Sequence, residues 1–293
     1  MFTTLKLLVR TMRPKQWVKN AIVYAGVVFD RHLFEPRPVI IATLAFIIFC
    51  AISSAVYLLN DLVDIEKDRQ HPRKRNRPLA SGKLNKSYAV AALIVLVAVG
   101  LPLGFVLQPY FGLSLLAYFI LQIAYCFYLK NVVIIDVFAI ASGFVLRAVA
   151  GAFAIQVEVS PWLLVCTMLL ALFLGLAKRR HELVLLAEGA AEHRQILKDY
   201  SAELVQEMIS VVTSAVVIAY SLYSITYEKL PKNHLMALTI PFVLYAIFRY
   251  LYLVYKKDEG GSPEELLLRD IPLLACILLW GVTSVSILYF FPA

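Results

Sequence analysis

Residues 39–68 read VIIATLAFIIFCAISSAVYLLNDLVDIEKD. The apolar part, residues 39–59, has no charged side chain, and about 20 apolar residues are enough for a helix to cross the hydrocarbon core of a bilayer. The stretch turns polar at Asn60 and continues with Asp61, Asp64 and Asp68. It therefore predicts a transmembrane helix that carries a row of acidic side chains to one membrane surface.

The rest of the chain has the same apolar character. Of 293 residues, 61% are hydrophobic and only 16% are charged, whereas soluble domains have about a quarter charged residues. The apolar blocks predict nine spans, at residues 20–34, 39–59, 88–107, 110–129, 132–154, 161–177, 208–226, 235–255 and 270–290. The first of these is the shortest and the least uniformly apolar. We expect an all-α integral membrane protein with a single polytopic domain over residues 1–293.

Lysine and arginine are distributed unevenly among the connections. Of 28 basic residues, 22 fall in the N-terminus and every second connection, four lie on the other side (Arg37, Lys229 and Lys232 in connections and Arg31 near the end of the first span), and the remaining two, Arg147 and Arg249, lie within later spans. Basic loops stay in the cytoplasm, which places the N-terminus inside, the C-terminus outside and the long loops 60–87 and 178–207 inside. We expect a prokaryotic cell (inner) membrane location with a cytoplasmic active site. The net charge of +8 then reflects topology and does not indicate nucleic-acid binding.

The polar end of the opening stretch has the spacing of a metal-binding helix face. Asn60, Asp64 and Asp68 recur every fourth residue, so they share one face of a continuing helix, with Asp61 beside them. Carboxylates this close repel one another unless a cation neutralises them, and their hard oxygen atoms suit Mg²⁺. Because Mg²⁺ usually shares its coordination shell with substrate phosphates, we predict that these four residues hold a metal-bound diphosphate.

A basic stretch follows at once. It comprises Arg69, Arg73, Lys74, Arg75 and Arg77. Arginine side chains bind phosphate oxygens in a bidentate manner, so acids followed by bases are the arrangement expected for a magnesium diphosphate. The alternative interpretation is that the bases only anchor the topology and the acids only balance them.

Ionisable residues also occur in and beside the apolar spans. Asp136 and Arg147 are eleven residues apart, nearly three helical turns, so they point the same way. Charges at this depth usually face a polar cavity, although an interhelical salt bridge is the alternative. Lys130 is interpreted either as a phosphate ligand or as a side chain that extends to lipid headgroups. Lys19 is a further candidate phosphate ligand.

The second long loop opens with a basic cluster. The sequence after the sixth span reads Lys178-Arg179-Arg180-His181-Glu182, and Tyr200 follows later in the loop. A basic cluster at the end of a helix is able to bind an anion.

These residues resemble a known family. Asn60-Asp61-x-x-Asp64-x-x-x-Asp68-Arg69, followed by Arg77-Pro78-Leu79-Ala80-Ser81-Gly82, is similar to the first signature of the UbiA superfamily of membrane prenyltransferases. The resemblance implies nine transmembrane helices around a site open to the cytoplasm. Members that prenylate an aromatic ring carry a second aspartate motif, whereas this chain has Ala177-Lys178-Arg179-Arg180-His181-Glu182-Leu183 at that place.

The basic second signature resembles a branch of the family that transfers phosphoribose. Arg13-Pro14-x-Gln16-Trp17-x-Lys19-Asn20 and Tyr200-Ser201 also fit this branch. The resemblance implies transfer of 5-phosphoribose from 5-phosphoribosyl 1-diphosphate to a decaprenyl-type polyprenyl phosphate, with Mg²⁺, for cell-wall or other glycan precursors. It also implies site residues. The catalytic residues would be Asp61, Asp64 and Asp68, and the substrate-binding residues Lys19, Arg69, Lys74, Arg77, Lys130, Asp136, Arg147, Lys178, Arg179, Glu182 and Tyr200.

Two rival functions stay open at this point. The first is an aromatic polyprenyltransferase with an acceptor similar to 4-hydroxybenzoate. The second is a transporter with Asp136 and Arg147 on its pathway. The sequence also leaves open whether the chain forms a homo-oligomer. Membrane lipids are expected partners in either case.

Overall fold

The computed structural model describes residues 2–71, 74–187, 195–257, 260–261 and 263–291, and these form helices and connecting segments without a β-strand. The α-helices in chain order are α1 (Phe2–Met12), α2 (Ala25–Phe29), α3 (Pro36–Val63), α4 (Ile65–Gln70), α5 (Lys86–Leu107), α6 (Pro109–Phe127), α7 (Ile135–Ala154), α8 (Pro161–Ala187), α9 (Ala202–Thr226), α10 (Ile240–Lys256), α11 (Pro263–Arg269) and α12 (Ile271–Phe290). The 3-10 helices are Pro14–Tyr24, Lys74–Asn76, Leu129–Asn131, Gln195–Asp199 and Leu235–Thr239.

Within the described residues, eight helical segments are long and apolar enough to cross a membrane. They correspond to every predicted span except the first. The largest difference in length occurs at α8, which continues past the predicted end of its span at residue 177 to Ala187. The basic cluster that begins at Lys178 therefore lies on a helix and not in a loop.

The first predicted span, 20–34, is not one long apolar helix. It falls on the end of the 3-10 helix Pro14–Tyr24 and on the short α2. Runs of 3-10 helix longer than three or four residues are uncommon, so tertiary contacts must impose this conformation.

Close packing against α7 is one of these contacts. A Cβ atom at Gly151 would lie 2.0 Å from the carbonyl oxygen of Val23 in the 3-10 helix. Polar contacts also hold the segment. Trp17 Nε1 donates a hydrogen bond to Ser54 Oγ at 3.0 Å, and Asn20 Nδ2 donates to Ser53 Oγ at 3.1 Å. The segment is therefore a hydrogen-bonded element that buries Asn20 and Val23, which hydropathy alone does not reveal.

The chain divides into two compact units, and the first comprises Met1–Val27 and His32–Glu158. Helix α3 is central in this unit and packs against α1, α5, α6, α7 and the 3-10 helix. Its apolar core includes Phe49, Ile52 and Val56 of α3 with Phe111, Leu115 and Tyr118 of α6. Helix α5 lies at the periphery and leaves its apolar side chains exposed, as a lipid-facing helix does.

The second unit comprises Val28–Arg31 and Val159–Ala293. Here α8 packs along α9, and α10 packs along α12. Tyr220 links the helices, because its hydroxyl accepts a hydrogen bond from Trp280 Nε1 at 2.7 Å and lies 2.6 Å from Thr239 Oγ1. Buried tyrosine and tryptophan side chains need such partners for their polar atoms.

An ion pair joins α10 to the start of α12. Arg249 donates from Nε and Nη2 to the two carboxylate oxygens of Asp270, at 3.0 and 2.8 Å. Asp270 also caps α12 by accepting from the backbone N–H of Leu273 at 2.9 Å. The Arg249 guanidinium lowers the pKa of the Asp270 carboxyl below its usual value.

Candidate active site

The acidic stretch lies at a break between α3 and α4. Asp64 separates the two helices and has φ −95° and ψ 13°, so the single continuing helix expected from the sequence is interrupted. Backbone hydrogen bonds nevertheless bridge the break, from Asp64 N–H to Asn60 O at 3.0 Å and from Asp68 N–H to Asp64 O at 2.8 Å. The three residues therefore stay one helical turn apart.

Arg77 joins two of the carboxylates. Its Nη1 lies 3.1 Å from Asp61 Oδ1 and 2.6 Å from Asp68 Oδ2. Asp61 and Asp68 are only 2% and 4% exposed, and their separation of seven residues is about two helical turns. The loop that follows α4 thus folds back and places a guanidinium between the two acids.

Arg13 supplies a second cation to Asp61. Its Nη2 lies 2.5 Å from Asp61 Oδ1, and its guanidinium stacks over the ring of Tyr57 at 5.0 Å. The backbone of Arg13 is left-handed, with φ 55° and ψ 63°. This conformation is unfavourable for a residue other than glycine and often occurs at functional sites.

Lys130 pairs with the remaining carboxylate. The 3-10 helix Leu129–Asn131 between α6 and α7 brings its Nζ to 2.8 Å from Asp64 Oδ1 and 3.0 Å from Oδ2. Lys130 is only 9% exposed, and its ammonium contacts an acid of the candidate site. At the start of the stretch, Asn60 Oδ1 accepts a hydrogen bond from Cys126 Sγ at 3.6 Å.

The donor atoms suit a magnesium ion, although they are not gathered around one point. Among the described residues, no group of three or more His, Cys, Asp or Glu side chains is placed to hold a metal. Mg²⁺ commonly takes only one or two protein carboxylates and completes its shell with substrate phosphates and water. Asp61, Asp64 and Asp68 with the Asn60 amide oxygen provide such ligands, so the residues fit the ion as partners of a bound diphosphate.

The other basic residues of this loop lie further out. Arg69 donates to Ala80 O at 3.2 Å and pairs with Glu66 at 2.9 Å, with its own side chain 48% exposed. The backbone N–H of Lys74 bonds His71 Nδ1 at 3.3 Å. Arg73 lies outside the described residues. Among the described residues of this loop, Arg77 is therefore the cation that reaches the acids, with 25% of its side chain exposed, and Arg69 belongs to a more exposed rim.

The two charged residues of α7 are both buried, Asp136 at 0% and Arg147 at 6% exposure. Arg147 donates to Asn20 Oδ1, Gly143 O and Tyr118 OH, each at 2.8 Å. Its guanidinium also stacks on the Tyr118 ring at 4.6 Å. Within the described part of the chain no carboxylate pairs with Arg147, so the interhelical salt bridge considered from the sequence is not its fixing contact.

In the second unit, the basic cluster has several partners. Arg179 is 2% exposed and pairs with Glu182 one turn further along α8, whereas Lys178 is half-buried. Tyr200 is 5% exposed and follows the 3-10 helix Gln195–Asp199. The four predicted binding residues of this unit thus include an ion pair in which Arg179 is buried and Glu182 is partly exposed.

The next two residues of the cluster contact α10 and the segment after it. Arg180 stacks on the Tyr255 ring at 3.9 Å and donates to Val254 O at 3.4 Å. His181 Nδ1 accepts from the backbone N–H of Gly260 at 3.4 Å. These contacts give Arg180 and His181 packing roles.

Comparison with known proteins identifies the family. The sequence model of the UbiA prenyltransferase family matches residues 21–268. The chain belongs to the UbiA prenyltransferase family. The solved structure of a UbiA homolog from Archaeoglobus fulgidus bound to DMAPP and Mg²⁺ aligns over 96% of this chain and 98% of its own, with a TM-score of 0.72 at 17% identity. At 17% identity, this similarity shows that the two proteins share a fold and nothing further.

Several relatives match almost the full length, two of them as follows. The decaprenyl-phosphate phosphoribosyltransferase of Corynebacterium glutamicum is 34% identical over 292 residues, which cover 97% of this chain and 87% of the relative. The protein of the same name from Mycobacterium tuberculosis is 33% identical over 285 residues, covering 94% of this chain and 92% of the relative.

Sequence reasoning missed several residues of the first unit that contact predicted site residues. Arg13 was not among the predicted binding residues, although it lies in the same stretch as Lys19. Asn20 and Tyr118, which hold Arg147, were also missed. The left-handed backbone of Arg13, directly before Pro14, has no recognisable signal in a single sequence. Asn20 is a polar residue at the start of an apolar predicted span, and this composition could have suggested it as a partner for the membrane-buried Arg147.

Proposed function

We propose that the protein transfers 5-phosphoribose from 5-phosphoribosyl 1-diphosphate to a polyprenyl phosphate of the decaprenyl type and releases diphosphate. The observation that carries this proposal is identity of 34% to a decaprenyl-phosphate phosphoribosyltransferase over 97% of the chain. The basic cluster at the end of α8, where aromatic prenyltransferases of the family carry acids, supports it. The product would feed cell-wall or other glycan synthesis.

The acid cluster would bind the diphosphate of the donor. We infer that Asn60, Asp61, Asp64 and Asp68 hold Mg²⁺. When bound, this ion would act as a Lewis acid on the diphosphate oxygens. Three aspartates and the amide oxygen of an asparagine are the hard donors that this ion prefers.

The cations of the first unit would stabilise the leaving group. Arg77, Arg13 and Lys130 all reach the carboxylates within 3.1 Å, so a diphosphate at these acids would lie within reach of the same cations. As the bond between C1 and the diphosphate oxygen breaks, negative charge accumulates on the leaving diphosphate, and fixed N–H donors stabilise that charge. Arg69 and Lys74 would bind from the more exposed rim.

The lipid phosphate would be the nucleophile. One of its oxygens forms the new bond to C1 while the diphosphate leaves with the bonding electron pair. The phosphate acceptor is already anionic at neutral pH, so no general base is needed. A sugar donor with a 5-phosphate and a phosphate acceptor bring more negative charge than a prenyl diphosphate and a neutral ring, and additional cations offset it.

Further substrate contacts are proposed for both units. In the second unit, Lys178 and Arg179 would bind phosphate oxygens, with Glu182 orienting Arg179 and Tyr200 beside them. In the first unit, Lys19, Asp136 and Arg147 would contribute. Arg147 has five N–H groups, and three hydrogen bonds to protein acceptors leave it further donors for an anion.

We also propose nine membrane crossings in one membrane domain, with the N-terminus and the site in the cytoplasm and the C-terminus outside. The segment formed by the 3-10 helix Pro14–Tyr24 and α2 would be the ninth. A 3-10 helix rises about 2.0 Å per residue, so these elements together extend for about 30 Å, the thickness of a hydrocarbon core. Periplasmic reporter activity on a C-terminal fusion would support this topology, and cytoplasmic activity would refute it.

A donor assay tests the function directly. Purified protein in detergent is incubated with Mg²⁺, radiolabelled 5-phosphoribosyl 1-diphosphate and polyprenyl phosphate, and label is measured in the organic phase. We expect labelled lipid. A parallel reaction contains polyprenyl diphosphate and 4-hydroxybenzoate, and product in that reaction alone would refute the proposal in favour of aromatic prenylation. Substrate flux in liposomes without product would indicate a transporter.

A further inference from the structure

Helix α1 packs beside the end of α3 where the apolar stretch of that helix gives way to polar residues. Three apolar side chains of α1, Leu7, Leu8 and Met12, lie against a buried cluster. The cluster is formed at the polar end of α3 and in the segments that follow it, by Leu58, Ile65, Leu79, Leu84 and Ala89. Helix α1 therefore lies at the depth where α3 leaves the hydrocarbon core. Its 11 residues extend for about 16 Å, which is too short to cross a core of about 30 Å.

The exposed surface of α1 has an apolar half and a basic half. Leu5 and Val9, one helical turn apart, are 58% and 42% exposed. Lys6 and Arg10, also one turn apart, are exposed beside them. Because successive residues of an α-helix are rotated by about 100°, the two pairs form parallel stripes, one apolar and one basic. This arrangement is typical of a helix that lies in the plane of a membrane surface.

The basic stripe has no acidic counterpart nearby in the chain. Residues 1–29 contain five Lys or Arg residues and no Asp or Glu. Among the described residues no carboxylate pairs with Lys6 or Arg10, whereas Arg13 pairs with Asp61. A basic N-terminus satisfies the topology rule wherever its charges are placed. Their alignment beside an apolar stripe is a further feature, which topology does not require.

We propose that α1 lies along the membrane surface, with Leu5 and Val9 at the acyl chains and Lys6 and Arg10 on the phosphates of anionic phospholipids. Basic side chains are attracted to an anionic leaflet, and their aliphatic stems extend the apolar contact. A lipid leaflet fits this surface because it presents hydrocarbon and negative phosphate side by side. The helix ends at Met12, directly before Arg13, so this anchor adjoins the acid cluster. The inference does not depend on the transferase activity.

Hydrogen–deuterium exchange of the α1 amides, measured by mass spectrometry, tests this contact. The full-length protein is placed at one copy per nanodisc, either in phosphatidylcholine alone or in an equal mixture of phosphatidylcholine and phosphatidylglycerol. Local opening exposes the amides of α1, so their exchange reports how firmly the helix is held. We expect exchange in the anionic discs to be slower by about fivefold for each of the two basic residues, the factor that their attraction to such a surface implies.

Two double variants separate the basic stripe from the apolar one. Lys6→Gln with Arg10→Gln removes both charges and keeps residues that favour helix, and we expect its α1 to exchange equally in the two kinds of disc. The matched control is Lys83→Gln with Lys86→Gln, which removes two exposed lysines elsewhere in the first unit and should keep the wild-type difference. Leu5→Gln with Val9→Gln should speed exchange in both kinds of disc, because the apolar contact is lost.

Equal exchange of wild-type α1 in both kinds of disc would overturn the proposal. So would an effect of phosphatidylglycerol that persists without Lys6 and Arg10, because the headgroups would then act elsewhere on the chain. Protection of α1 that requires two copies per disc would identify a second chain as the occupant of this surface and would also overturn it. No substrate is present in the measurement, so failure of phosphoribosyl transfer in the donor assay would leave the result intact.

Discussion

Replacement of Gly151 by alanine tests whether the close packing of the 3-10 helix Pro14–Tyr24 maintains the site. The added Cβ would lie 2.0 Å from Val23 O and 2.8 Å from Val23 Cα. Both are backbone atoms, so no side-chain rotation relieves the clash. Since carbon and carbonyl oxygen atoms rarely approach closer than about 3.3 Å, the 3-10 helix or α7 must move by about an ångström.

The expected cost follows from this displacement. Overpacking a well-packed interior usually costs about 1–3 kcal/mol, and a backbone clash without a flexible neighbour belongs at the upper end. The same 3-10 helix carries Asn20, which bonds Arg147 at 2.8 Å, and begins directly after Arg13, which bonds Asp61. A shift of about 1 Å in such positioning residues can lower turnover by about a hundredfold.

The assay combines thermal unfolding, followed by tryptophan fluorescence in one detergent, with phosphoribosyl transfer. The matched control is Gly281→Ala in α12, where an added Cβ meets nothing within 4 Å. We expect Gly151→Ala to lower both Tm and turnover, and Gly281→Ala to leave turnover unchanged with equal or higher Tm, since alanine favours helix over glycine. A Gly151→Ala variant with wild-type Tm and turnover would refute the reasoning.

Three further predictions concern single side chains. Asp64→Asn should lower phosphoribosyl transfer by about a hundredfold or more, because a carboxylate proposed to act at the donor diphosphate is lost; the fold should be retained with a lower Tm, because the buried Lys130 ammonium loses its charged partner. Asp270→Asn should lower the Tm at pH 7, and the difference from wild type should shrink in acid. The lowered pKa of Asp270 means that its ion pair with Arg249 stabilises the protein above the ordinary carboxyl pKa and is lost as pH falls through the lowered value. Tyr220→Phe should cost about 1–3 kcal/mol of unfolding free energy, because the Trp280 N–H loses its acceptor, and should lower the Tm with little effect on turnover.

Each of these has an outcome that contradicts it. Near-normal transfer by Asp64→Asn would remove this carboxylate from the mechanism, and Glu207→Gln, an exposed acid on α9, controls for loss of charge alone. A Tm difference for Asp270→Asn that stays constant between pH 7 and pH 3 would exclude the ion pair as its cause. An unchanged Tm for Tyr220→Phe would show that water or another group replaces the hydroxyl.

Eight of the predicted spans were located from hydropathy, because a helix that crosses a bilayer needs a long apolar stretch whatever its neighbours are. Segment 20–34 differs for a physical reason. Its 3-10 conformation depends on contact with Gly151 and on hydrogen bonds from Trp17 and Asn20 to serines of α3. Those partners are distant in sequence, so no local pattern reports them.

The acid cluster was also visible from the sequence, since the spacing of Asn60, Asp64 and Asp68 is a local property. Its assignment to Mg²⁺ and diphosphate stays a prediction. The cations that face these acids were only partly foreseen. Arg77 and Lys130 were named as phosphate ligands, but their pairing with aspartates was not expected, and Arg13 was not named at all.

The sequence by itself therefore determined that this is an α-helical membrane protein with acids at the end of α3 and bases after them, because apolar length and residue spacing are local properties; the UbiA type followed from the resemblance of these motifs to the family. The tertiary structure alone decided which cation meets which acid. Arg13 is 48 residues from Asp61, and Lys130 is 66 residues from Asp64. Such pairs form only when packing of the 3-10 helix, α6 and α7 around α3 brings distant charges into contact.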